Sequence, residues 1–496
     1  MKHKWIIWLN FTLILFSACS NGNGEDTVRK IIILYTNDEH GWMEESGETD
    51  GAAKLMGVWR EVEEYDEKGH FLILSGGDNW TGPAISTWFK GESMVEVMNA
   101  MKYDAAAIGN HEFDFKVDGL MNRMDQADFP YLSANIQEKA TGEMADFALP
   151  YIIKEVNGVM VGLIGLTTTS TPYSTFPDYV ADYNFISYAE ALTEIVPQVK
   201  KDGAELLIVV GHICYYEMQA LVPTAVELGI SIIGGGHCND LVAVTIDGVT
   251  IIEGGSYMQS YAKVELLFDI EGDSIVEINP STHENIGGTP DPDVENIVSF
   301  WRTQADAVLS EVIGYVNEEI YYRSDAMYNL VTDSWLYSHP SADISATNIG
   351  GIRQSIPAGD ITKGTIIGVL PFQNQIIKLE LTGEQLIDCT EYLIVGGMTR
   401  INGYFLADGT PIHTDTVYSV LTTDYLYARP DINFHLYDTD PYYTGMNYHQ
   451  PTLDYIFSFN TSTDNPLDNY LDHTPRQSGL MVNSDWDNML ETFITD

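Results

Sequence analysis

The chain has 496 residues, room for two to four domains at about 150 residues each, and its 45% hydrophobic against 19% charged content excludes bulk disorder. Its 72 acidic and 24 basic residues leave a formal charge of −48, a surface that repels phosphate backbones and argues against a nucleic-acid polymer as partner. A small anionic substrate stays open, because a metal or one arginine reverses the field inside a cleft.

Lys2 and Lys4 precede an apolar run over 5–16, interrupted by Asn10 and Thr12. Coiled into a helix, that run spans about 18 Å, short of the roughly 30 Å hydrocarbon core of a bilayer, so it reads as an export signal. It closes on Phe16-Ser17-Ala18-Cys19, which resembles a bacterial lipobox. That resemblance implies lipid on Cys19 and a membrane-anchored lipoprotein on the periplasmic or cell-surface side, with soluble secretion as the alternative. Residues 20–29 follow as a tether that is polar over 21–26. Cys214, Cys238 and Cys389 remain, an odd number that excludes a complete disulfide framework. Buried free thiols are the expectation, and a Cys214–Cys238 bridge is the alternative.

Between 30 and 285, short aliphatic runs at 31–35, 71–74, 159–166, 206–210, 230–233 and 249–252 alternate with helical periodicities. Several runs are apolar throughout, as strands buried on both faces are. Leu55, Val58, Trp59 and Val62 share one helical face, as do Met94, Val97, Met98 and Met101. Ser187 and Glu190 fit a capping box, and the acidic stretch 61–67 reads as a solvated helix face. Asp291-Pro292 opens a long helix with Asp as N-cap. The expected organisation is a signal over 1–19, the tether, an α/β domain over 30–285, a connector helix over 286–313 and an α+β domain over 314–496.

Polar clusters follow the apolar runs. Thr36-Asn37-Asp38-Glu39-His40-Gly41 comes after the first, Ser75-Gly76-Gly77-Asp78-Asn79 after the second, and Gly109-Asn110-His111-Glu112-Phe113-Asp114 after a shorter stretch. His212 follows 206–210, and Gly236-His237-Cys238-Asn239-Asp240 follows 230–233. Ligands of α/β sheets bind beyond the carboxyl ends of strands, so the five clusters converge on one place. Each is weak alone. Together they supply carboxylate, imidazole and amide without thiolate, a donor set suited to borderline divalent metals.

With these motifs in order, the chain resembles calcineurin-like metallophosphoesterases, within them the bacterial 5′-nucleotidase and UDP-sugar hydrolase group. The resemblance implies an N-terminal layered αββα sandwich and two divalent metal ions, zinc, manganese or similar. It implies Asp38 and His40 as ligands of one ion, Asp78 as the bridge, and Asn110, His212 and His237 as ligands of the second. Asn239 stands where relatives often carry His or Gln as the last ligand of the first ion. His111 and Asp114 match the catalytic dyad.

The second domain resembles the 5′-nucleotidase C-terminal domain through Thr347-Asn348-Ile349-Gly350-Gly351-Ile352-Arg353, Leu370-Pro371-Phe372 and Leu381-Thr382-Gly383. That implies a substrate-binding α+β domain, with Asn348 and Arg353 holding substrate and Phe372 stacking on a base. The family's Gly-Gly-Asp-Gly-aromatic segment is replaced by residues 424–434, with Phe434 the nearest substitute for its ring. An arginine of some relatives is displaced, with Tyr321 near its place and Arg323 close by. The expected activity is metal-dependent hydrolysis of nucleoside 5′-phosphates in nucleotide catabolism, extending to UDP-sugars. Alternatives are a dinuclear-metal phosphodiesterase acting on 2′,3′-cyclic nucleotides and a non-catalytic surface-binding lipoprotein. The partners implied are a small nucleotide and the membrane, with no protein partner.

Overall fold

The computed structural model describes residues 27–46 and 49–477. The export signal, Cys19 and the tether up to residue 26 lie outside the described residues. Among the described residues, no helix is long and apolar enough to cross a membrane.

Two six-stranded sheets face one another. The first runs Ser274–Glu284, Ser260–Asp269, Val28–Thr36, Phe71–Ser75, Ala105–Ala107, Tyr131–Leu132. The second runs Leu241–Ile246, Val249–Gly254, Ile232–Gly234, Leu206–His212, Val159–Thr167, Tyr151–Val156. Central pairings are parallel in both sheets, for example Ile33 with Leu72 and Ile233 with Val209. Such strands are covered on both faces, hence their unbroken apolar runs. Side chains still alternate. Ile31, Ile33 and Tyr35 enter the core between the sheets with Leu72, Leu74, Leu163 and Ile208, while Ile32 and Leu34 face the helices outside.

Helices Gly51–Glu61, Glu92–Ala100, Lys116–Gln126 and Pro292–Leu309 cover the first sheet, and Tyr188–Lys201 and Tyr215–Leu228 cover the second. The result is the expected αββα sandwich. Asp291 caps Pro292–Leu309, its carboxylate accepting from the N–H of Asp293 and Val294 at 3.0 and 3.2 Å. Val294, Val298, Trp301, Ala305 and Leu309 bury its apolar stripe in the helix layer. The capping box at Ser187 is half made: Ser187 Oγ accepts from the Glu190 N–H at 3.4 Å.

The acidic stretch 61–67 departs from expectation. The helix ends at Glu61, and Glu63 turns inward, accepting from Tyr261 Oη at 2.6 Å and Lys263 Nζ at 2.5 Å. A buried carboxylate needs such partners, and they sit on a strand some 200 residues away in sequence, beyond local reading.

After Val312–Val316 the chain builds a five-stranded mixed sheet, ordered Ile394–Gly396, Ile344–Thr347, Val417–Thr423, Gln375–Thr382, Tyr442–Asn447. Apolar clusters centred on Trp335 and on Phe434 accompany it, in keeping with an α+β unit. Ile367 of this unit is buried in the helix-layer core of the first, which seats the two against each other.

Candidate active site

Asp38 and His40 follow Val28–Thr36, Asp78 follows Phe71–Ser75, and Asn110 and His111 follow Ala105–Ala107 in the first sheet. His212 ends the strand Leu206–His212, and His237 follows Ile232–Gly234 in the second. The strand ends meet because the sheets approach closely at Gly76, where a Cβ would stand 2.3 Å from the Gly235 carbonyl oxygen. The loops turn sharply. Asp38, His40, Asp78, His237 and Asn239 have φ of 51°, 46°, 58°, 75° and 61°. Non-glycine residues in this left-handed region cost of order 1–3 kcal/mol each and persist where the surroundings hold them.

The donor atoms converge. His212 Nε2 lies 3.1 Å from Asp78 Oδ2, 3.1 Å from Asn110 Oδ1 and 3.2 Å from His237 Nδ1. His40 Nε2 lies 3.8 Å from Asp38 Oδ1 and 3.9 Å from Asp78 Oδ2. Two groups of side chains therefore suit a metal ion, His40 with Asp78 and His111, and Asp78 with His212 and His237. Asp78 belongs to both. His40 Nδ1 donates to the Thr81 carbonyl at 3.0 Å and His212 Nδ1 to the Gly76 carbonyl at 2.8 Å, which turns each Nε2 toward the site. These residues fit a metal centre by donor type, orientation and burial.

Electrostatics follow from that crowding. Burial opposes charge on Asp78, yet His212, His111 and His40 hold its carboxyl well below the ordinary value. Burial pushes Asp38 up to about 6 against His212. Burial also opposes charge on His212, but Asp78, Asp38 and Glu112 push it up to about 10. Burial and the nearby Arg353 guanidinium lower His40.

His111 Nδ1 pairs with Asp114 Oδ2 at 2.8 Å, and Asp114 Oδ1 accepts from Thr175 Oγ1 at 3.1 Å. Burial opposes protonation of His111, while Asp114 and Asp78 raise it overall. Asp78 Oδ1 accepts from the His111 N–H at 2.8 Å.

A cleft of about 400 Å³ opens between the two units, and Asp38, His40, Asp78, Asn110, His111, His237 and Asn239 line one side. Asn348, Arg353 and Phe372 line the other. Arg353 Nη2 stands 3.1 Å from His40 Nε2, and the Phe372 ring stacks on His111 with centroids 5.5 Å apart at 19°. His212 lies fully buried behind this wall, and Asn239 is exposed at its rim.

Some site features escaped sequence reading. Glu112 and Glu39 lie fully buried under the loops. Glu112 accepts from the N–H of Asp78, Asn79 and Gly109, and Glu39 from Thr36, Ser75 and Asn79 side chains. Burial, with Asp78 beside it, pushes Glu112 up to about 8, and burial pushes Glu39 up to about 7. Ser170, Tyr173 and Tyr179 reach the cleft from a loop after Val159–Thr167, a strand end the same rule would have found.

Phe434 is not a stacking ring: it is fully buried in the C-terminal core and off the cleft. Tyr425 and Arg429 stand there instead, Tyr425 Oη donating to the Tyr173 carbonyl at 2.9 Å and Arg429 forking onto Asp431 at 2.8 and 2.6 Å. Arg323 lines the cleft, over the Tyr322 ring, whereas Tyr321 does not. Cys214 and Cys238 are joined in a disulfide, which corrects the expectation of free thiols, and Cys389 is free and buried. Spacing in sequence gave no measure of their approach, with Cα atoms 5.1 Å apart.

Residues 310–437 match the family described as 5′-nucleotidase, C-terminal domain. The 5′-nucleotidase of Vibrio parahaemolyticus is 28% identical over 422 residues, covering 73% of this chain and 74% of that one. The chain is thus similar to 5′-nucleotidases along most of its length, and its C-terminal unit carries the family's domain. Those relatives are phosphate-ester hydrolases by name, and this chain brings together two groups of side chains that could hold a metal ion. Endonuclease YhcR of Bacillus subtilis is 26% identical over 484 residues, covering 86% of this chain, which spans 39% of that longer relative. The crystal structure of a 5′-nucleotidase precursor from Thermus thermophilus shares the fold, with a TM-score of 0.78 at 21% identity over 92% of this chain and 100% of that one.

Proposed function

We propose that the chain is a 5′-nucleotidase that hydrolyses nucleoside 5′-phosphates to nucleoside and phosphate at a dinuclear centre, and accepts UDP-sugars as further substrates. The observation that carries the reading is the meeting of the two units: Arg353 beside His40 and Phe372 on His111 put an anion fork and an aromatic face within reach of the converged donors.

Asp38, His40, Asp78 and Asn239 would hold one divalent ion, and Asp78, Asn110, His212 and His237 the other. Ions held there supply Lewis acidity toward the phosphoryl group and a nucleophilic water at neutral pH. Asp78, common to both groups, would be the shared ligand. His111 faces the phosphoryl group and delivers a proton to the leaving oxygen, while Asp114 holds its Nδ1–H and therefore its tautomer. Asn348 and Arg353 hold the substrate, Arg353 through a planar fork suited to phosphate oxygens. Phe372 offers its face to the base.

A cyclic phosphodiester is the second reading, favoured by the likeness to a relative named as an endonuclease. The charge of −48 disfavours a polymer and leaves a small diester open. Chromatographic analysis of the products from AMP, UDP-glucose, 2′,3′-cyclic nucleotides and p-nitrophenyl phosphate, each with Mn, Zn, Co and Mg, tests both. AMP is expected to lead. A panel in which only the cyclic diester turns over selects the second reading, and no metal-dependent turnover of any ester overturns both. The Phe16-Ser17-Ala18-Cys19 segment supports export and lipid anchoring at Cys19, and Cys19→Ala is expected to release the enzyme from the membrane fraction.

A further inference from the structure

The disulfide sits inside the candidate metal centre. Cys214 follows His212 by two residues and is the N-cap of the helix Tyr215–Leu228; Cys238 lies between His237 and Asn239 and lines the cleft. The cross-link therefore joins the strand end carrying His212 to the loop carrying His237 and Asn239. We propose that the Cys214–Cys238 disulfide is a positioning device for the metal centre, fixing that loop against His212 and slowing loss of bound ion. The inference rests on the reading of His212, His237 and Asn239 as ligands.

The fold at this point is already joined without the bridge. The two strands pair in parallel, Ile232 with Ile208, Ile233 with Val209 and Gly234 with Val210, and Leu221, Val222 and Ala225 root the following helix in the core. Beyond Gly234 the chain leaves the sheet. Gly235 N–H still bonds to the Ile252 carbonyl at 2.9 Å, and Gly236 N–H to the Ile213 carbonyl at 3.0 Å. The next tie, His237 N–H to Asp38 Oδ2 at 2.9 Å, uses a carboxylate the metal also needs. His237 and Asn239 then both turn left-handed, at φ of 75° and 61°. Backbone of that kind relaxes unless it is held, and the disulfide holds the residue between the two. Relaxation would swing both donors away from Asp38, Asp78 and His212.

The test compares wild type with Cys214→Ser/Cys238→Ser, each loaded with zinc and challenged at 25 °C by a chromogenic chelator, and each loaded with cobalt for its visible absorption spectrum. Thermal unfolding of the metal-free proteins is followed alongside. The expected result is metal loss 10- to 100-fold faster in the double variant, the scale on which supports of metal ligands act, with an altered cobalt spectrum. Equal loss rates and equal spectra overturn the positioning role, even if the melting temperature falls, since a purely structural staple gives that pattern. Should the variant not fold, wild type reduced in the folded state by a phosphine and then desalted replaces it, with the same two outcomes. A wild type that binds no metal overturns the ligand reading itself, a result distinct from equal loss rates.

Discussion

Arg353 sets its guanidinium 3.1 Å from His40 Nε2, although the two residues belong to different units of the chain and stand 313 positions apart. The same guanidinium lies 5.9 Å from the centre of the Phe372 ring. One unit thus brings a cation and an aromatic face to the donor atoms of the other. If they read a nucleotide, Phe372→Ala raises KM for AMP by about 5- to 150-fold, the equivalent of roughly 1–3 kcal/mol of stacking. Hydrolysis of p-nitrophenyl phosphate, which has no base, changes little. Arg353→Ala harms AMP turnover more than p-nitrophenyl phosphate turnover. The measurement is the ratio of kcat/KM between the two esters in folded variants. A ratio unchanged in both means that the C-terminal unit does not read nucleotides.

Asp78 is common to both groups of candidate ligands, and its carboxyl is held ionised by three histidines. Asp78→Asn keeps the shape and removes the charge. Activity and bound metal are expected to disappear together, because the shared charge serves both ions. Elemental analysis that finds two tightly held ions in an active Asp78→Asn protein refutes the dinuclear assignment.

His111 distinguishes two roles that geometry brings close together. Its ring lies in one of the metal-competent groups, and its Nδ1 is engaged by Asp114. With proton delivery as its role, His111→Gln retains both ions while kcat falls by roughly 10²- to 10⁴-fold. Loss of metal along with activity would assign His111 as a ligand instead.

The site was legible where chemistry follows an unbroken apolar run, as at Asp38 after 31–35 and His212 after 206–210. Parallel strands buried on both faces announce themselves, and their carboxyl ends locate the polar cluster. The strands Ser260–Asp269 and Ser274–Glu284 escaped because one face is wet and their sequences mix charge with apolar residues. The cleft wall over 424–434 was illegible for another reason. Whether Phe434 or Tyr425 faces the substrate depends on packing against Leu386 and Leu426 and on the Arg429–Asp431 pair, none of which has a local signature. Glu112 was visible in its motif, but its role depends on N–H groups of a loop 33 and 34 residues away.

That role yields the last prediction. Glu112 is fully buried and accepts from the N–H of Asp78, Asn79 and Gly109 at 2.9, 2.8 and 2.6 Å. The first two belong to the loop of Asp78, and the third precedes Asn110, so one side chain spans two loops that carry candidate ligands. Glu112→Gln preserves size but turns one acceptor into an NH₂ donor facing backbone donors. At least one N–H then loses its partner in a site closed to water, and a buried donor left unsatisfied costs about 1–3 kcal/mol. The expected loss of stability is therefore about 1–3 kcal/mol, read by chemical denaturation of the metal-free protein, with metal affinity lowered 10- to 100-fold. Glu64, exposed on the surface, provides the control, since Glu64→Gln is expected to stay within about 0.5 kcal/mol of wild type. A Glu112→Gln protein as stable and as retentive of metal as the Glu64→Gln control would show that the two loops hold their shape without the buried carboxylate.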